Sequence, residues 1–285
     1  MQNDLIVHKG IGLKKMSKQS GGKHIIFDLD ETLGSFSDLY ILYQCLNETT
    51  CDTTLDASTM VKQLLLLYPE FLRCGITVIL QFLYYKKKSR LCDGVHIYTN
   101  NQCIPDSWTY FVLEYIEEQH SMSGLFGDVI RSFKIDGKIV EPRRSEQNKS
   151  IRDLLKCIII PPHTEICYVD DAMHPKMKHR YLYYLQPKPY YHGLSKKEII
   201  ERYLNNTNHE MSERMYQWYH AKGYVLETSE NAVSNLESDI EVSKKLMYHI
   251  REFFLYKSKC AKTRRHRKSA FTKTKRLRHN IVHEL

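Results

Sequence analysis

At 285 residues, with 42% hydrophobic and 26% charged residues, the chain has the balance of a soluble globular protein long enough to bury a sizeable core. Modest glycine and proline counts exclude collagen-like and low-complexity classes. The eight cysteines show no CxxC pair or Cys/His ligand spacing, which argues against a disulfide frame and for reduced thiols in a cytosolic or nuclear compartment.

The net charge of +9 is concentrated at one end: eleven Lys/Arg and no Asp or Glu lie between Tyr256 and Asn280, so the rest is close to neutral. The opening stretch, Met1 to Lys23, is polar with scattered lysines and lacks the apolar core of a secretory signal. Val61 to Tyr85 is the most apolar region, but Lys62, Glu70 and Arg73 interrupt it, and a spanning helix needs roughly 18 unbroken apolar residues. The expectation is an intracellular protein of cytoplasm or nucleus, with no membrane partner.

In chain order, residues 1–22 form an N-terminal extension, and His24–Leu29 is the first buried strand. Helical spacing follows in Leu39–Leu46 and Thr59–Tyr68. Pro69–Lys88 is predicted as one long apolar helix whose three closing lysines suit a helix C-terminus. Val95–Thr99 is the second strand and Ser107–Gln119 the next helix. Asp128–Phe133 and Lys138–Glu141, joined through Asp136-Gly137, are predicted to pair as a β-hairpin. Helix Ser150–Cys157 and strands Ile166–Asp170 and Tyr181–Gln186 complete the pattern.

Strands alternating with helices predict an α/β fold: a Rossmann-like parallel sheet with helices on both faces, over 23–193, with a small hairpin insertion. The stretch between Asp28 and Thr99 is already taken up by helical patterns, so no large cap domain fits. From Leu194 only helices are predicted: Ser195–Leu204, Glu210–Lys222 and Glu237–Tyr256. They make a helical annex, 194–256, packed on the sheet domain or beyond it. Residues 257–285 are rich in like charge and are read as a basic, disordered tail.

The chemistry gathers at strand ends. His24-Ile25-Ile26-Phe27-Asp28-Leu29-Asp30-Glu31-Thr32-Leu33 is an apolar strand ending in two aspartates two residues apart. Ligands of open α/β sheets bind beyond the carboxyl ends of strands. There one carboxylate can attack phosphorus while the other shuttles a proton, with a divalent cation to neutralise the crowded charge. The second strand ends in Tyr98-Thr99-Asn100-Asn101, offering a hydroxyl and backbone amides to a phosphoryl oxygen; read alone, it is a helix cap. Lys149 opens a later helix, with Lys134, Lys138, Arg143 and Arg144 as rivals for a basic role. The third strand ends in Asp170-Asp171, an acidic pair suited to a hard cation.

In that order, Asp28-Leu29-Asp30-Glu31-Thr32, Tyr98-Thr99-Asn100, Lys149 and Val169-Asp170-Asp171 resemble the haloacid dehalogenase superfamily. The Asp-Leu-Asp-Glu-Thr-Leu wording resembles its NLI-interacting-factor-like branch, which includes phosphatases of the RNA polymerase II C-terminal domain. The resemblance runs from about Lys23 to Tyr190. It implies that Asp28 is the nucleophile that becomes an aspartyl-phosphate and Asp30 the general acid and base. Thr32 would steady the loop around the phosphate, Thr99 and Asn100 would bind the phosphoryl group, and Lys149 would balance its charge. Mg2+ would be held by Asp28, the carbonyl of Asp30 and the acidic pair, with Asp171 favoured over Asp170. Asp171-Ala172-Met173-His174-Pro175 and Pro187-Lys188-Pro189-Tyr190-Tyr191 depart from that branch.

The expected function is a phosphatase acting on phosphoprotein Ser/Thr. A nucleic-acid end phosphatase and a catalytically silent phosphate-binding scaffold are the competing readings. The silent reading is disfavoured because a pure binder has no need of the acid–base aspartate. Arg264-Arg265-His266-Arg267-Lys268 and Lys273-Thr274-Lys275-Arg276 read equally as a targeting signal, as a solubilising end, or as a contact, within 257–279, for nucleic acid or an acidic partner.

Overall fold

The computed structural model describes residues 4–14, 22–49, 56–105, 107–161, 163–205, 210–226 and 236–255. The basic tail and its two Arg/Lys runs lie outside the described residues.

Eight strands are described: β1 (Leu5–Lys9), β2 (Lys23–Phe27), β3 (Gly94–Tyr98), β4 (Phe126–Ile130), β5 (Lys134–Ile135), β6 (Lys138–Ile139), β7 (Glu165–Val169) and β8 (Leu182–Pro187). Six form one sheet in the order β1-β8-β7-β2-β3-β4, all parallel except β1, which runs antiparallel to β8. Helices cover both faces, and the architecture is Rossmann-like.

Alternation along each strand divides the core in two. Ile25, Phe27, Val95, Ile97, Cys167, Val169, Tyr183 and Leu185 point to the larger core. There they meet α1 (Ser37–Thr49), α2 (Ala57–Leu67), α3 (Ile76–Lys88), α4 (Trp108–Gln119), α6 (Lys196–Leu204), α7 (Glu210–Ala221) and α8 (Leu236–Leu255). Ile26, Tyr98, Ile166, Tyr168 and Tyr184 point the other way, onto Leu154, Cys157 and Ile158 in and just after α5 (Ile151–Cys157). The predicted annex is therefore continuous with the main core: Ile199, Ile200, Met215, Val242, Leu246, Ile250 and Phe253 are buried within it. No helix among the described residues is long and apolar enough to cross a membrane.

Local chemistry explains the helix boundaries. Asp56 caps α2 by accepting from Thr59 N, Ser150 caps α5 by accepting from Asp153 N, and Ser195 with Glu198 forms a complete capping box on α6.

The structure corrects three sequence expectations. Pro69–Lys88 is not one helix; a short 3-10 turn, Pro69–Phe71, gives way to extended chain, and α3 begins after Gly75 at a φ of 74°. The break is tertiary: Ser35 N bonds Phe71 O at 2.8 Å and Arg73 N bonds Leu33 O at 2.9 Å, so this segment is drawn out alongside the loop after β2. The arm 128–133 does not form the hairpin either. Phe126–Ile130 pairs with β3 as an edge of the main sheet, leaving a two-residue ladder between β5 and β6. Third, β1 extends the sheet from within residues 1–22, where no strand was predicted.

Six free cysteines are found among the described residues, four of them buried. Burial pushes the Cys45 thiol up to about 12 and that of Cys92 up to about 11, so these thiols are inert.

Candidate active site

The sheet reverses direction of growth between β2 and β7. The chain leaves β2 towards β3, whereas it leaves β7 towards β8, and a crevice opens between the two departing loops. Asp28 stands at the end of β2, held by Asp28 N donating to Val169 O at 2.9 Å. Asp170 and Asp171 stand at the end of β7, and one carboxylate oxygen from each of the three lies within 4.8 Å of the others.

Lys149, just ahead of α5, places Nζ 2.7 Å from Asp28 Oδ1 and 2.7 Å from Asp170 Oδ2. It is 2% exposed. Burial would discharge the amine, but the two carboxylates more than offset this and raise its pKa, so it remains an ammonium. Of the rivals, Arg144 is also buried, but it serves the backbone: it donates to Thr99 O, Arg131 O and Gln147 O and to Asn100 Oδ1. Arg143 donates to Cys157 O, and Lys134 lies over Phe133.

The two members of the acidic pair differ. Asp170 is fully buried and saturated, accepting from Lys149, from the Tyr168 hydroxyl, and from Ala172 N at 2.9 Å, with His174 Nε2 at 3.2 Å. Burial alone would raise its pKa, but Lys149 and His174 hold it down at about 2. Asp171 is half-buried and bonded to Thr32, whose Oγ1 donates to Asp171 Oδ1 at 3.0 Å. Burial and the charge of Asp170 raise the Asp171 carboxyl. Burial likewise lifts Asp28 well above the usual carboxylate range, against the pull of Lys149.

Asp30 sits on the outgoing turn. Asn101 Nδ2 donates to its Oδ2 at 2.9 Å, and burial raises its pKa above that of an ordinary aspartate. Thr99 Oγ1 accepts from Asn101 N at 2.9 Å, which directs the hydroxyl proton away from that amide. The side chain of Asn100 is turned to Arg144 instead of the crevice. The structure thus brings Asp28, Lys149, Asp170 and Asp171 into direct contact or near contact, with Asp30, Thr32 and Thr99 tied to the same loops.

Sequence reasoning missed several supporting groups. Arg73, 1% exposed, braces the turn after β2 by donating from Nε to Thr32 O at 2.6 Å and from Nη2 to Glu31 O at 2.5 Å and Lys188 O at 2.9 Å. It stabilises a backbone in which Glu31 has a φ of 55°. Glu31 itself is pushed up to about 7 by burial and by Asp30 and Asp171. Asn101, Tyr168 and His174 are the others. Only the polar character of Arg73 inside an apolar run is a signal in the sequence, and there it argues against a membrane span.

Three carboxylates, Asp28, Asp170 and Asp171, therefore gather beside one ammonium at the mouth of the sheet. Oxygen donors in excess negative charge fit a hard divalent cation.

No protein-family model matches the chain, nor does any curated protein sequence. Among solved structures it is similar to a HAD-superfamily hydrolase of subfamily IA, variant 1, from Geobacter sulfurreducens, at 14% identity and a TM-score of 0.29. That likeness covers 56% of this chain and 82% of the other.

Proposed function

We propose that the chain is a phosphomonoester hydrolase that works through an aspartyl-phosphate on Asp28, with Mg2+ as cofactor and phosphoprotein Ser/Thr as substrate. The observation that carries this reading is Lys149 held at 2.7 Å from both Asp28 and Asp170, beside a third carboxylate, at the switch point of the sheet.

In the proposed reaction Asp28 attacks phosphorus and the bond to the leaving oxygen breaks. Asp30, whose raised pKa favours the protonated form, donates its proton to that oxygen. Asp30 then takes a proton from water as the water attacks phosphorus, which releases inorganic phosphate and restores Asp28. Lys149 offsets negative charge at the reacting group, and the Thr99 hydroxyl donates to a phosphoryl oxygen. Asp28, Asp171 and the carbonyl of Asp30 would hold the cation; Asp170, already saturated by four donors, would orient Lys149. When bound, Mg2+ supplies positive charge that keeps Asp28 ionised and steadies the phosphoryl oxygens.

A substrate as large as a phosphoprotein is supported by the absence of a cap among the described residues: α1, α2 and α3 between β2 and β3 all pack into the main core.

The test is hydrolysis of an aryl phosphate with and without Mg2+. Wild type should turn over only with the metal, and Asp28→Asn should lose at least about a thousandfold in kcat. Equal rates for the two proteins would end the enzyme reading. Given activity, phosphoserine peptides should compete better than 3′-phosphorylated oligonucleotides; the reverse order would assign the chain to nucleic-acid ends.

A further inference from the structure

A groove of about 470 Å³ lies between the end of β1 and the loop that enters β8. Its lining combines Ile11, Met173, Met177 and Leu182 with Lys178 and Arg180, and it contains no acidic residue. Ile11 is 80% and Met173 40% exposed, which is costly for large apolar side chains that face water. Neither Lys178 nor Arg180 makes an ion pair among the described residues; the Arg180 guanidinium lies 4.9 Å from the Tyr181 ring.

The groove is a built feature. Gly10 N donates to Leu182 O at 2.8 Å and Gly12 N to Arg180 O at 2.7 Å, which fixes one wall against the other. A Cβ at Gly10 would stand 2.5 Å from Arg180 O, so the approach requires glycine.

It also adjoins the candidate active site. Tyr184 lines the groove, and its hydroxyl accepts from His174 N at 3.3 Å and donates to Ala172 O. His174 in turn contacts Asp170. Met173, in the same loop, faces the groove. An occupant would therefore sit against the segment that carries Asp170 and Asp171.

Charge and shape select the occupant. The basic tail of this chain has the same sign as the rim and is repelled. Nucleic acid gains most from flat aromatic platforms; of the rings here, Tyr184 is buried and packs edge-to-face against His8, and His179 packs edge-to-face against Tyr181. Unpaired cations around an apolar floor fit a peptide whose large apolar side chains alternate with carboxylates. We propose that the groove docks an acidic, apolar segment of a partner protein beside the active site. This stands whether or not the hydrolase reading does.

The test uses the full chain and a fluorescein-labelled peptide alternating Glu with Leu and Phe, followed by anisotropy. Saturable binding is expected. Lys178→Glu with Arg180→Glu should weaken it at least about tenfold, as should Ile11→Ser with Met173→Ser, both at exposed positions. Circular dichroism of each variant, with unchanged melting, separates binding from folding, and either pair alone suffices. Wild-type affinity in folded groove variants would assign the binding to the tail and overturn the proposal. So would equal affinity for a peptide with Ser in place of Leu and Phe, or tighter, groove-dependent binding of an oligonucleotide of equal charge.

Discussion

Thr32 and Asp171, 139 positions apart, exchange two hydrogen bonds: Thr32 Oγ1 donates to Asp171 Oδ1 at 3.0 Å and accepts from Asp171 N at 3.1 Å. One hydroxyl thus joins the loop after β2 to the loop after β7 and orients a carboxylate of the proposed cation site. Thr32→Val keeps the shape but leaves the half-buried N–H of Asp171 without this acceptor, which costs about 1–3 kcal/mol. The half-saturating Mg2+ concentration for turnover should rise about tenfold, in line with loss of a group that orients a ligand. Thr32→Ser should restore most of both. Urea denaturation and a metal titration of aryl phosphatase activity decide it; a valine variant with wild-type values in both would show that the loops are held together elsewhere.

Lys149 supports two buried carboxylates at once, so Lys149→Met should be among the most damaging single changes. Removing one partner of a buried ion pair typically costs about 3–5 kcal/mol, because the remaining charge is left unsolvated. Turnover should vanish with it. Adding Asp28→Asn removes one of the stranded charges, and the double variant should be more stable than Lys149→Met alone. A double-mutant cycle by chemical denaturation measures this coupling. Strictly additive losses would mean that the Lys149–Asp28 contact contributes little.

Among the described residues Arg73 has no carboxylate in hydrogen-bond contact; it donates to carbonyls of Glu31, Thr32 and Lys188, and its guanidinium lies 5.3 Å from the Tyr190 ring. Burial lowers its pKa to about 10, still far above neutrality, so it stays charged. Arg73→Lys cannot reproduce the planar fork, and up to three buried carbonyls would lose a donor. A loss of about 2–4 kcal/mol is expected, with kcat for aryl phosphate reduced more than KM changes, because the turn carrying Asp30 would relax. An unaltered kcat in a folded lysine variant would reduce Arg73 to a structural brace.

Much of this was legible in the sequence because α/β sheets place chemistry at strand ends. Asp28, Thr99 and Asp170 each immediately follow a five-residue, largely buried strand, and Lys149 directly precedes a capped helix. The bracing groups were not legible, since Arg73, Asn101 and Tyr168 gain meaning only from contacts across the fold. β1 was hidden because an edge strand is half-exposed and lacks a continuous apolar run. In β4, Gly127 and Asp128 broke the apolar pattern, and the nearby Asp136-Gly137 turn suggested a larger hairpin. The long helix over Pro69–Lys88 failed because backbone pairing with the loop after β2 outweighed helix propensity.

His24 and His96 form a buried pair between β2 and β3. Asp128 N donates to His96 Nδ1 at 3.0 Å, Asp128 Oδ2 lies 3.2 Å from the same nitrogen, and His96 Nε2 stands 3.0 Å from His24 Nδ1. Burial and the neighbouring His24 hold the His96 pKa down at about 4, from an ordinary 6.5. A folded pKa below the unfolded one means that the unfolded chain binds more protons in between. The stability linked to His96 is therefore fully present above about 6.5 and is lost as pH falls towards 4. The amount is on the order of 3 kcal/mol. Glu31 and the raised aspartates take up protons on folding and oppose the trend. The signature is consequently a difference between proteins: His96→Asn, which keeps a polar group near Asp128 N, should lose less stability than wild type between pH 6.5 and pH 4. Melting midpoints of the two across that window measure it. Parallel curves would show that His96 titrates normally in the folded protein.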